Sequence, residues 1–230
     1  AVRFYGLKNN PARLAGNMGI EEVGEMKFWT KEEYLTFSRA MMNKEERYHA
    51  FEILYWCGIR LGELLALTAE DFDFEKKTLR INKSYQHIKG KDVITTPKTR
   101  KSNRVLTLPD FLAEEMQDYI SRLPYLKVDD RIFTITKSGL HHEIDRGCRE
   151  TGVKRIRVHD LRHSHVSMLI EMGFSAVDIA SRVGHESVKV TYQYAHMFPN
   201  KYLMIAKKLN ISRNGEKDEQ EKSRSERTFE

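Results

Sequence analysis

At 230 residues and 40% hydrophobic content, the chain is long enough to bury a genuine core without disulfides or metal ions to hold it together. Its formal net charge of +6 favours a polyanionic partner, although 33 acidic residues dilute the excess. Cys57 and Cys148 are too few for a disulfide framework or a cysteine-rich metal cluster, which favours reduced thiols in a cytoplasmic or nucleoid setting. No apolar run approaches the roughly 18 residues that a membrane span requires.

The two ends of the chain differ in texture from its middle. Residues 1–28 carry no sustained hydrophobic period and are predicted to form a linker or arm. Residues 29–210 are patterned throughout and are predicted to form one folded domain. Residues 211–230 are charged and almost free of apolar side chains, which predicts a flexible tail. The start shows neither a Met nor a signal-peptide pattern, so we expect this chain to be part of a longer protein.

The first predicted element is a helix over about 30–41. Thr30 and Glu33 have the types and spacing of a capping box, in which each side chain satisfies a backbone N–H of the first helical turn. A second helix is predicted over about 44–57.

Gly58 is predicted to end this second helix. Arg60 follows at once, and the apolar run 61–67 predicts a short buried helix that carries Glu63. Arg60 is therefore expected to lie at a helix junction.

The middle of the chain alternates apolar and polar residues, which is typical of strands. Strands are predicted at 78–81, 92–95 and 104–108, with a basic hairpin at 97–101. The predicted fold class is therefore α+β, mainly α-helical with a small antiparallel three-stranded sheet.

The remainder is predicted to be helical. Pro109 suits a first helical position and begins a helix over about 109–122. Further helices are predicted at 139–150, 159–172, 176–183, 187–194 and 199–209.

Four residues near the C-terminus have the chemistry needed to bind and attack a phosphodiester. Such a bond gains negative charge as phosphorus becomes five-coordinate, so fixed cations and donors must stabilise it. His159, Arg162 and His185 are of the right types. The phenolic oxygen of Tyr194 could attack, provided that a base, such as a nearby histidine, takes its proton.

Five short segments carry a family resemblance. They are Cys-Gly-Ile-Arg-Leu-Gly-Glu-Leu at 57–64, Pro-Lys-Thr at 97–99 followed by Arg104, Val-His-Asp-Leu-Arg-His at 158–163, Val-Gly-His-Glu-Ser at 183–187, and Thr-Tyr-Gln-Tyr-Ala-His at 191–196. Each motif is modest alone, but together and in this order they make the chain similar to the catalytic domain of the tyrosine recombinases, also called the phage integrase family. The resemblance covers about residues 30–209 and implies that family's catalytic-domain fold.

The resemblance also implies a role for each matching residue. Tyr194 would attack the phosphodiester, Arg60 and Arg162 would clamp its non-bridging oxygens, and His185 would donate to the phosphate. Lys98 would protonate the leaving oxygen and His159 would assist as an acid or base. Glu63 and Asp160 would support the arginine or histidine beside them. The implied reaction requires no metal and no other cofactor.

Other interpretations of these residues remain open. Lys101 competes with Lys98 as the proton donor, and both also fit a solvated basic hairpin. His159 and His163 have the spacing of a helical zinc site, although the usual Glu and a close third ligand are missing. We expect His163 and His165 to make local hydrogen bonds.

Tyr192 competes with Tyr194 as the nucleophile. Tyr194 matches the family spacing, nine residues after His185. Tyr192 is therefore expected to belong to the core.

The expected partner is double-stranded DNA that carries an attachment site, bound mainly through phosphates and therefore weakened by salt. The family implies a homotetramer when two sites are paired, whereas this chain alone is expected to be monomeric. It is also expected to bind DNA weakly. The family usually has an N-terminal domain that closes around the duplex, and we expect that domain to be absent from this chain, so many phosphate contacts would be lost. The candidate phosphate-binding residues are Lys83, Lys89, Lys91, Arg100, Lys101 and Arg104.

The leading functional hypothesis is site-specific DNA recombination through a covalent 3′-phosphotyrosyl intermediate, for integration or excision of a phage or mobile element. Two alternatives stay open. One is a DNA-relaxing topoisomerase that uses the same chemistry, and the other is a DNA-binding module without cleavage activity.

Overall fold

The computed structural model describes residues 26–96, 102–192, 194, 206 and 209–211. Within these residues the named helices are α1 (Lys31–Arg39), α2 (Glu45–Cys57), α3 (Leu61–Leu64), α4 (Asp110–Ser121), α5 (Lys137–Thr151), α6 (Asp160–Glu171), α7 (Ala176–Val183) and α8 (Val188–Tyr192). The strands are β1 (Phe72–Asp73), β2 (Thr78–Ile81), β3 (Ser84–Ile88), β4 (Lys91–Thr95) and β5 (Arg104–Thr107). A mainly helical α+β fold is thus confirmed.

The strands form two small antiparallel sheets rather than one. The three-stranded sheet has the order β1-β2-β5, with Leu79 opposite Leu106. The strand predicted at 92–95 is not part of it, since β4 pairs with β3 in a separate hairpin. Lys89 and Gly90, both at positive φ, make the tight turn between β3 and β4, a geometry that matches the twist of a two-residue hairpin.

The ends of the first two helices follow from their sequences. The Thr30 hydroxyl accepts from the Glu33 backbone N–H at 3.3 Å, and the Glu33 carboxylate accepts from the Thr30 N–H at 2.8 Å. This confirms the capping box that begins α1. Gly58 has a φ of +62°, and its N–H donates to the Leu54 carbonyl, so this left-handed residue ends α2 as predicted.

The main core surrounds α2, which packs against α1, α3, α4 and α6. Phe51 and Tyr55 of this helix are fully buried, and the Tyr55 ring stacks on Tyr34 of α1 with centroids 3.6 Å apart. Burying a large apolar side chain contributes about 1.5–3 kcal/mol. The residues at both ends of α2 are thus held on a rigid support.

A second, smaller apolar cluster joins α6 to α7. It contains Val166 and Ile170 of α6, Ile179 and Val183 of α7, and Tyr194. The segment after α8 is therefore attached to the rest of the domain through α6 and α7.

Several sequence predictions fall partly or wholly outside the described residues. These are most of the linker at 1–28, the basic hairpin at 97–101, most of the helix predicted at 199–209 and the tail at 211–230. Residues 206 and 209–211 are helical.

Pro109 is the N-cap residue of α4 instead of occupying its first turn. Over the described part of the chain, the structure contains no helix of the length and apolarity that crossing a membrane requires.

Candidate active site

Arg60 lies where α2 gives way to α3, as the sequence predicted. Its backbone N–H and its Nη1 both donate to the Glu63 carboxylate, each at 2.9 Å, and its Nη2 donates to the Gly184 carbonyl at 3.1 Å. The Arg60 guanidinium is thus fixed between the start of α3 and the residue that ends α7.

Glu63 is a buried carboxylate that ties two arginines together. Burial by itself would raise its pKa, but hydrogen bonds and charges from Arg104 and Arg60 lower the pKa overall. Glu63 therefore stays ionised, and its single negative charge offsets part of the positive charge of the two guanidinium groups.

Arg104 has a different environment from the exposed, phosphate-binding one that we expected. Its side chain is 7% exposed, and its Nη2 donates to Glu63 at 2.9 Å. Its Nε donates to the Arg182 carbonyl at 2.9 Å, and its guanidinium packs beside Gly184. Because these contacts occupy its donors inside the protein, Arg104 supports Glu63 and the end of α7 rather than offering a surface for DNA.

Arg162, in the first turn of α6, reaches the backbone just before Arg60. Its Nη1 donates to the Gly58 carbonyl at 2.7 Å, two residues before Arg60. Burial and the charge of Arg60 lower the pKa of Arg162 to about 9, which still leaves the group cationic near neutrality. Its Nη2 is buried and has no hydrogen-bond partner among the described residues, so a donor is available for an anion.

His185 follows Gly184, the left-handed residue that ends α7. Its Nδ1 lies 2.9 Å from the Thr191 hydroxyl on α8. Burial and the charges of Arg162 and Arg60 lower the pKa of His185 to about 3, so its ring is neutral near neutral pH. When Thr191 donates to Nδ1, the proton sits on Nε2, which leaves His185 as a neutral donor.

Tyr194 is buried, with 2% of its surface exposed, and its hydroxyl is hydrogen-bonded to Nδ1 of His163. Burial raises the pKa of Tyr194 to about 12, against an opposing effect of the Arg162 charge. The phenol therefore carries its proton in this state.

The expectation that Tyr192 belongs to the core was wrong. Tyr192 is 58% exposed, because α8 places its side chain away from the cluster that buries Tyr194. The two tyrosines therefore have clearly different environments, Tyr194 buried and Tyr192 exposed.

His159 is the N-cap residue of α6, makes no side-chain capping hydrogen bond, and is partly screened from solvent by its neighbours although its side chain reaches the surface. Desolvation and the nearby Arg162 charge lower its pKa. Its ring meets that of His163 edge-on, with centroids 5.2 Å apart. Among the described residues no group of three or more His, Cys, Asp or Glu side chains is arranged to hold a metal ion, so the zinc interpretation gains no third ligand.

Two expectations about the neighbouring histidines were wrong. His163 bonds to Tyr194, 31 positions away, and Nε2 of His165 accepts from the Arg182 Nε at 3.3 Å. Both contacts are long-range because α6 is the helix on which α7 and Tyr194 pack.

Asp160 joins the site from the first turn of α6. It is buried and accepts hydrogen bonds from the Arg157 backbone N–H and guanidinium. Its Oδ1 also lies 3.8 Å from Nε2 of His163. Asp160 therefore lies beside a histidine, as expected, but its closer partner is Arg157.

A cleft of about 420 Å³ opens beside these groups. Its walls include Arg60, His185 and Lys83, together with Ser84 and Thr95 of the β3–β4 hairpin. The β3–β4 hairpin and Arg60 therefore line the same cleft.

The remaining predicted residues divide into three sets. Lys98, Arg100 and Lys101 lie outside the described residues. Lys83 donates to the buried Asp71 carboxylate at 2.8 Å, so its charge is largely balanced within the protein. Lys89 and Lys91 are exposed at the β3–β4 turn, as a DNA-contacting role requires.

Sequence reasoning missed the parts of the site that depend on tertiary packing. The bond from His163 to Tyr194, the support that Arg104 gives to Glu63, and the Arg157–Asp160 pair all belong to this class. The cluster of His and Arg residues at 157–165 indicated a functional site at the start of this helix, but it did not indicate which side chains contact one another.

Comparison with known proteins identifies the class to which this fold and site belong. Residues 27–201 match the phage integrase family, and the chain belongs to that family. It is 32% identical to the ICEBs1 integrase of Bacillus subtilis over 225 residues, which covers 91% of this chain and 61% of that protein. The chain thus spans somewhat more than half the length of this relative.

Solved structures agree on the fold. The Tn1549 transposon integrase, solved in complex with transposon right end DNA, matches with a TM-score of 0.64 at 17% identity, over 75% of this chain and 62% of that one. The catalytic domain of bacteriophage HP1 integrase matches with a TM-score of 0.57 at 19% identity, over 80% of this chain and 95% of that one. The described domain therefore has the tyrosine recombinase catalytic-domain fold.

Proposed function

We propose that this chain is the catalytic part of a site-specific DNA recombinase, which cleaves and rejoins one DNA strand at a time through a 3′-phosphotyrosyl bond to Tyr194. The observation that carries the proposal is the convergence of Arg60, Arg162 and His185 beside a tyrosine whose hydroxyl is hydrogen-bonded to a histidine. Family membership and the names of the similar proteins, which are integrases of mobile elements and phages, support it.

In this proposal the two arginines bind the phosphate. Arg60 is held in place by Glu63, and Arg162 is held by the Gly58 carbonyl. Planar guanidinium groups suit the non-bridging oxygens of a phosphodiester, and fixed donors stabilise the charge that develops there. His185 adds a neutral donor to the same group.

Strand cleavage then exchanges one ester bond for another. The Tyr194 oxygen attacks phosphorus, and the bond from phosphorus to the 5′ oxygen breaks. Lys98 gives the leaving oxygen its proton, with Lys101 as the competing donor, and His159 assists at the exposed edge of the site. Because the ester energy is kept in the tyrosyl bond, a free 5′-hydroxyl can attack it and rejoin the strands without ATP.

DNA is the proposed partner, and the wider assembly is part of the proposal. Lys89 and Lys91, together with Arg100 and Lys101, would contact phosphates, so binding should weaken as salt rises. Four copies would act on two attachment sites, while the chain alone would be monomeric and bind DNA weakly. The proposed setting is the bacterial nucleoid, for integration or excision of a phage or mobile element. Residues 29–210 would form the catalytic domain, 1–28 its connecting arm and 211–230 a tail.

A covalent trap tests the proposed chemistry. A pool of duplexes randomised around a nick, so that the cleaved end diffuses away, is incubated with the chain, and protein–DNA adducts are separated on denaturing gels. We expect the intact chain to form adducts, Tyr194→Phe to form none and Tyr192→Phe to form them as before. A chain that binds the duplexes without any adduct would be a binding module, and the proposal would be wrong.

Plasmid relaxation separates the two enzyme classes. A recombinase should act on the duplexes enriched by the trap and leave arbitrary supercoiled plasmid untouched. Rapid relaxation of any plasmid would indicate the topoisomerase alternative.

A further inference from the structure

The reaction steps proposed above give His163 no role of its own, yet it is the described residue that meets the Tyr194 hydroxyl. The two residues are 31 positions apart, so the contact is created by the packing of the Tyr194 segment on α6. The His163 side chain is 18% exposed, and its ring lies 5.6 Å from the Tyr194 ring between centroids. A hydroxyl held in this way has few alternative orientations.

The other nitrogen of His163 faces a carboxylate. Its Nε2 lies 3.8 Å from Oδ1 of Asp160, which is buried and fixed by Arg157. A negative charge on that side favours the tautomer with the proton on Nε2 and the lone pair on Nδ1, where the phenol lies. Asp160, His163 and Tyr194 thus lie in sequence. The carboxylate faces one nitrogen of the ring, and the phenol is hydrogen-bonded to the other.

Resting on the function proposed above, we infer that His163 is the general base for Tyr194 and that Asp160 positions it. During cleavage the Tyr194 proton passes to Nδ1 of His163 as the phenolic oxygen bonds to phosphorus, and Asp160 balances the imidazolium charge. During rejoining the 5′-hydroxyl attacks phosphorus, its proton returns to the acid that supplied the leaving oxygen, and His163 returns its own proton to Tyr194. Atoms and charges balance over the cycle.

The protonation states suit this role. Burial, followed by the charge of His159, lowers the pKa of His163 to about 4, so the ring is neutral and able to accept near neutral pH. The pKa of Tyr194, raised to about 12 by burial, is far higher, so proton transfer must accompany attack instead of preceding it. An anionic phosphate bound beside the ring would raise the pKa of His163 and strengthen it as a base. The titratable and charged groups around His163 are His159, Asp160, Arg157, Arg162, His185 and Tyr194.

The experiment compares single-turnover cleavage of two nicked duplexes by the intact chain and by His163→Gln. Both duplexes carry a sequence enriched by the covalent trap, and in one of them sulfur replaces the 5′ bridging oxygen. A thiolate leaves without a proton donor, so this substrate isolates the base from the acid. His142→Gln, on the exposed face of α5, is the matched control.

We expect His163→Gln to lower the cleavage rate at pH 7 by about 10²–10⁴-fold on both substrates, with His142→Gln unchanged. On the sulfur substrate the rate of the intact chain should vary little between pH 6 and 8.5. The cleavage rate of His163→Gln should instead rise about tenfold per pH unit, because solvent must then remove the phenolic proton.

Three outcomes would overturn the inference. Equal rates for the intact chain and His163→Gln would remove His163 from the reaction. Two parallel pH profiles would indicate a purely structural role, and rescue of the variant by the sulfur substrate would make His163 the acid. If the intact chain forms no adduct, the proposed function itself fails, which is a separate and visible result.

The role of Asp160 is tested by non-additivity. Asp160→Asn alone should slow cleavage and shift its pH profile toward that of His163→Gln. Added to His163→Gln, it should cause little further loss, because it acts through the ring that is already missing. Independent, additive losses would contradict the positioning role.

Discussion

The cationic side of the site and the nucleophile side are built on different supports. Arg60 lies at the α2–α3 junction, Glu63 in α3 and Arg162 in the first turn of α6, beside the large core, and each makes hydrogen bonds that fix its orientation. Tyr194 follows the short α8 and is held by a small apolar cluster and one histidine. The groups proposed to bind phosphate are thus preorganised, whereas the proposed nucleophile depends on few contacts.

This difference indicates which parts of the site must rearrange during the proposed reaction. Fixed cations need no rearrangement when charge develops on phosphate, which is where preorganisation contributes most. A buried tyrosine must still move to reach phosphorus. Because the cluster that holds Tyr194 is small, the free-energy cost of that movement should be modest. We therefore expect substitutions on the cationic side to act on chemistry and stability together, and those near Tyr194 to act mainly on chemistry.

The largest effect is expected for Arg162→Lys. Lysine cannot bond to the Gly58 carbonyl and present a second donor in the same plane, so the transition state loses a fixed hydrogen bond. We expect single-turnover cleavage to fall by about 10³-fold, measured with the trapped duplex. Arg149→Lys, an exposed change on α5, is the control. Wild-type rates in Arg162→Lys would remove this guanidinium from the reaction.

Glu63→Gln tests the support beneath Arg60. Gln keeps the size of the side chain but leaves the buried Arg104 charge unbalanced, so we expect the free energy of unfolding to fall by about 3 kcal/mol in urea denaturation. Cleavage per folded molecule should fall as well, because Arg60 loses its anchor.

The matched control is Glu143→Gln, a buried carboxylate bound by Lys44 and Arg146 away from the cleft. It should lower stability and leave cleavage per folded molecule unchanged. Equal losses of activity in Glu63→Gln and Glu143→Gln would show that only stability is involved.

Gly58→Ala and Gly152→Ala separate backbone strain from a steric clash. Both glycines have positive φ at the end of a helix, so each alanine should cost about 1–2 kcal/mol of stability. At Gly58 the new methyl group would also lie 2.4 Å from the His165 ring, whereas nothing lies within 4 Å at Gly152. We expect Gly58→Ala to be the more destabilising by at least about 1 kcal/mol in thermal or urea unfolding. Equal losses would contradict the tight contact between α2 and α6.

The last prediction concerns how the free energy of unfolding depends on pH. Burial lowers the pKa of His165 and of His185 to about 3, well below the unfolded value near 6.5. The unfolded chain therefore binds more protons below pH 6.5, so stability falls as pH drops through this range. Each such histidine contributes a slope of about 1.4 kcal/mol per pH unit. Urea unfolding between pH 7.5 and 5 measures it, and a constant free energy of unfolding would show that these rings are not buried as neutral groups.

The sequence was sufficient for those features that local residue types determine. The capping box at Thr30, the helix stop at Gly58 and the position of Arg60 at the junction follow from short-range physics, and the structure has all three. The order of the motif residues also indicated the family.

Features that depend on tertiary packing could not be foreseen in the same way. Alternation marks a strand but does not name its neighbour, so β4 was assigned to the wrong sheet. Arginine is usually exposed, and only the fold shows that Arg104 lies 2.9 Å from a buried carboxylate. The meeting of His163 with Tyr194 likewise arises from helices that are distant in sequence.

Tyr194, beside the two arginines, is the residue that we propose forms the covalent bond to DNA. Mass spectrometry of the protease- and nuclease-treated adduct tests it directly, since fragmentation of the peptide that contains both Tyr192 and Tyr194 locates the attached nucleotide. We expect the nucleotide on Tyr194 alone. A nucleotide on Tyr192, or on any other residue, would contradict the account.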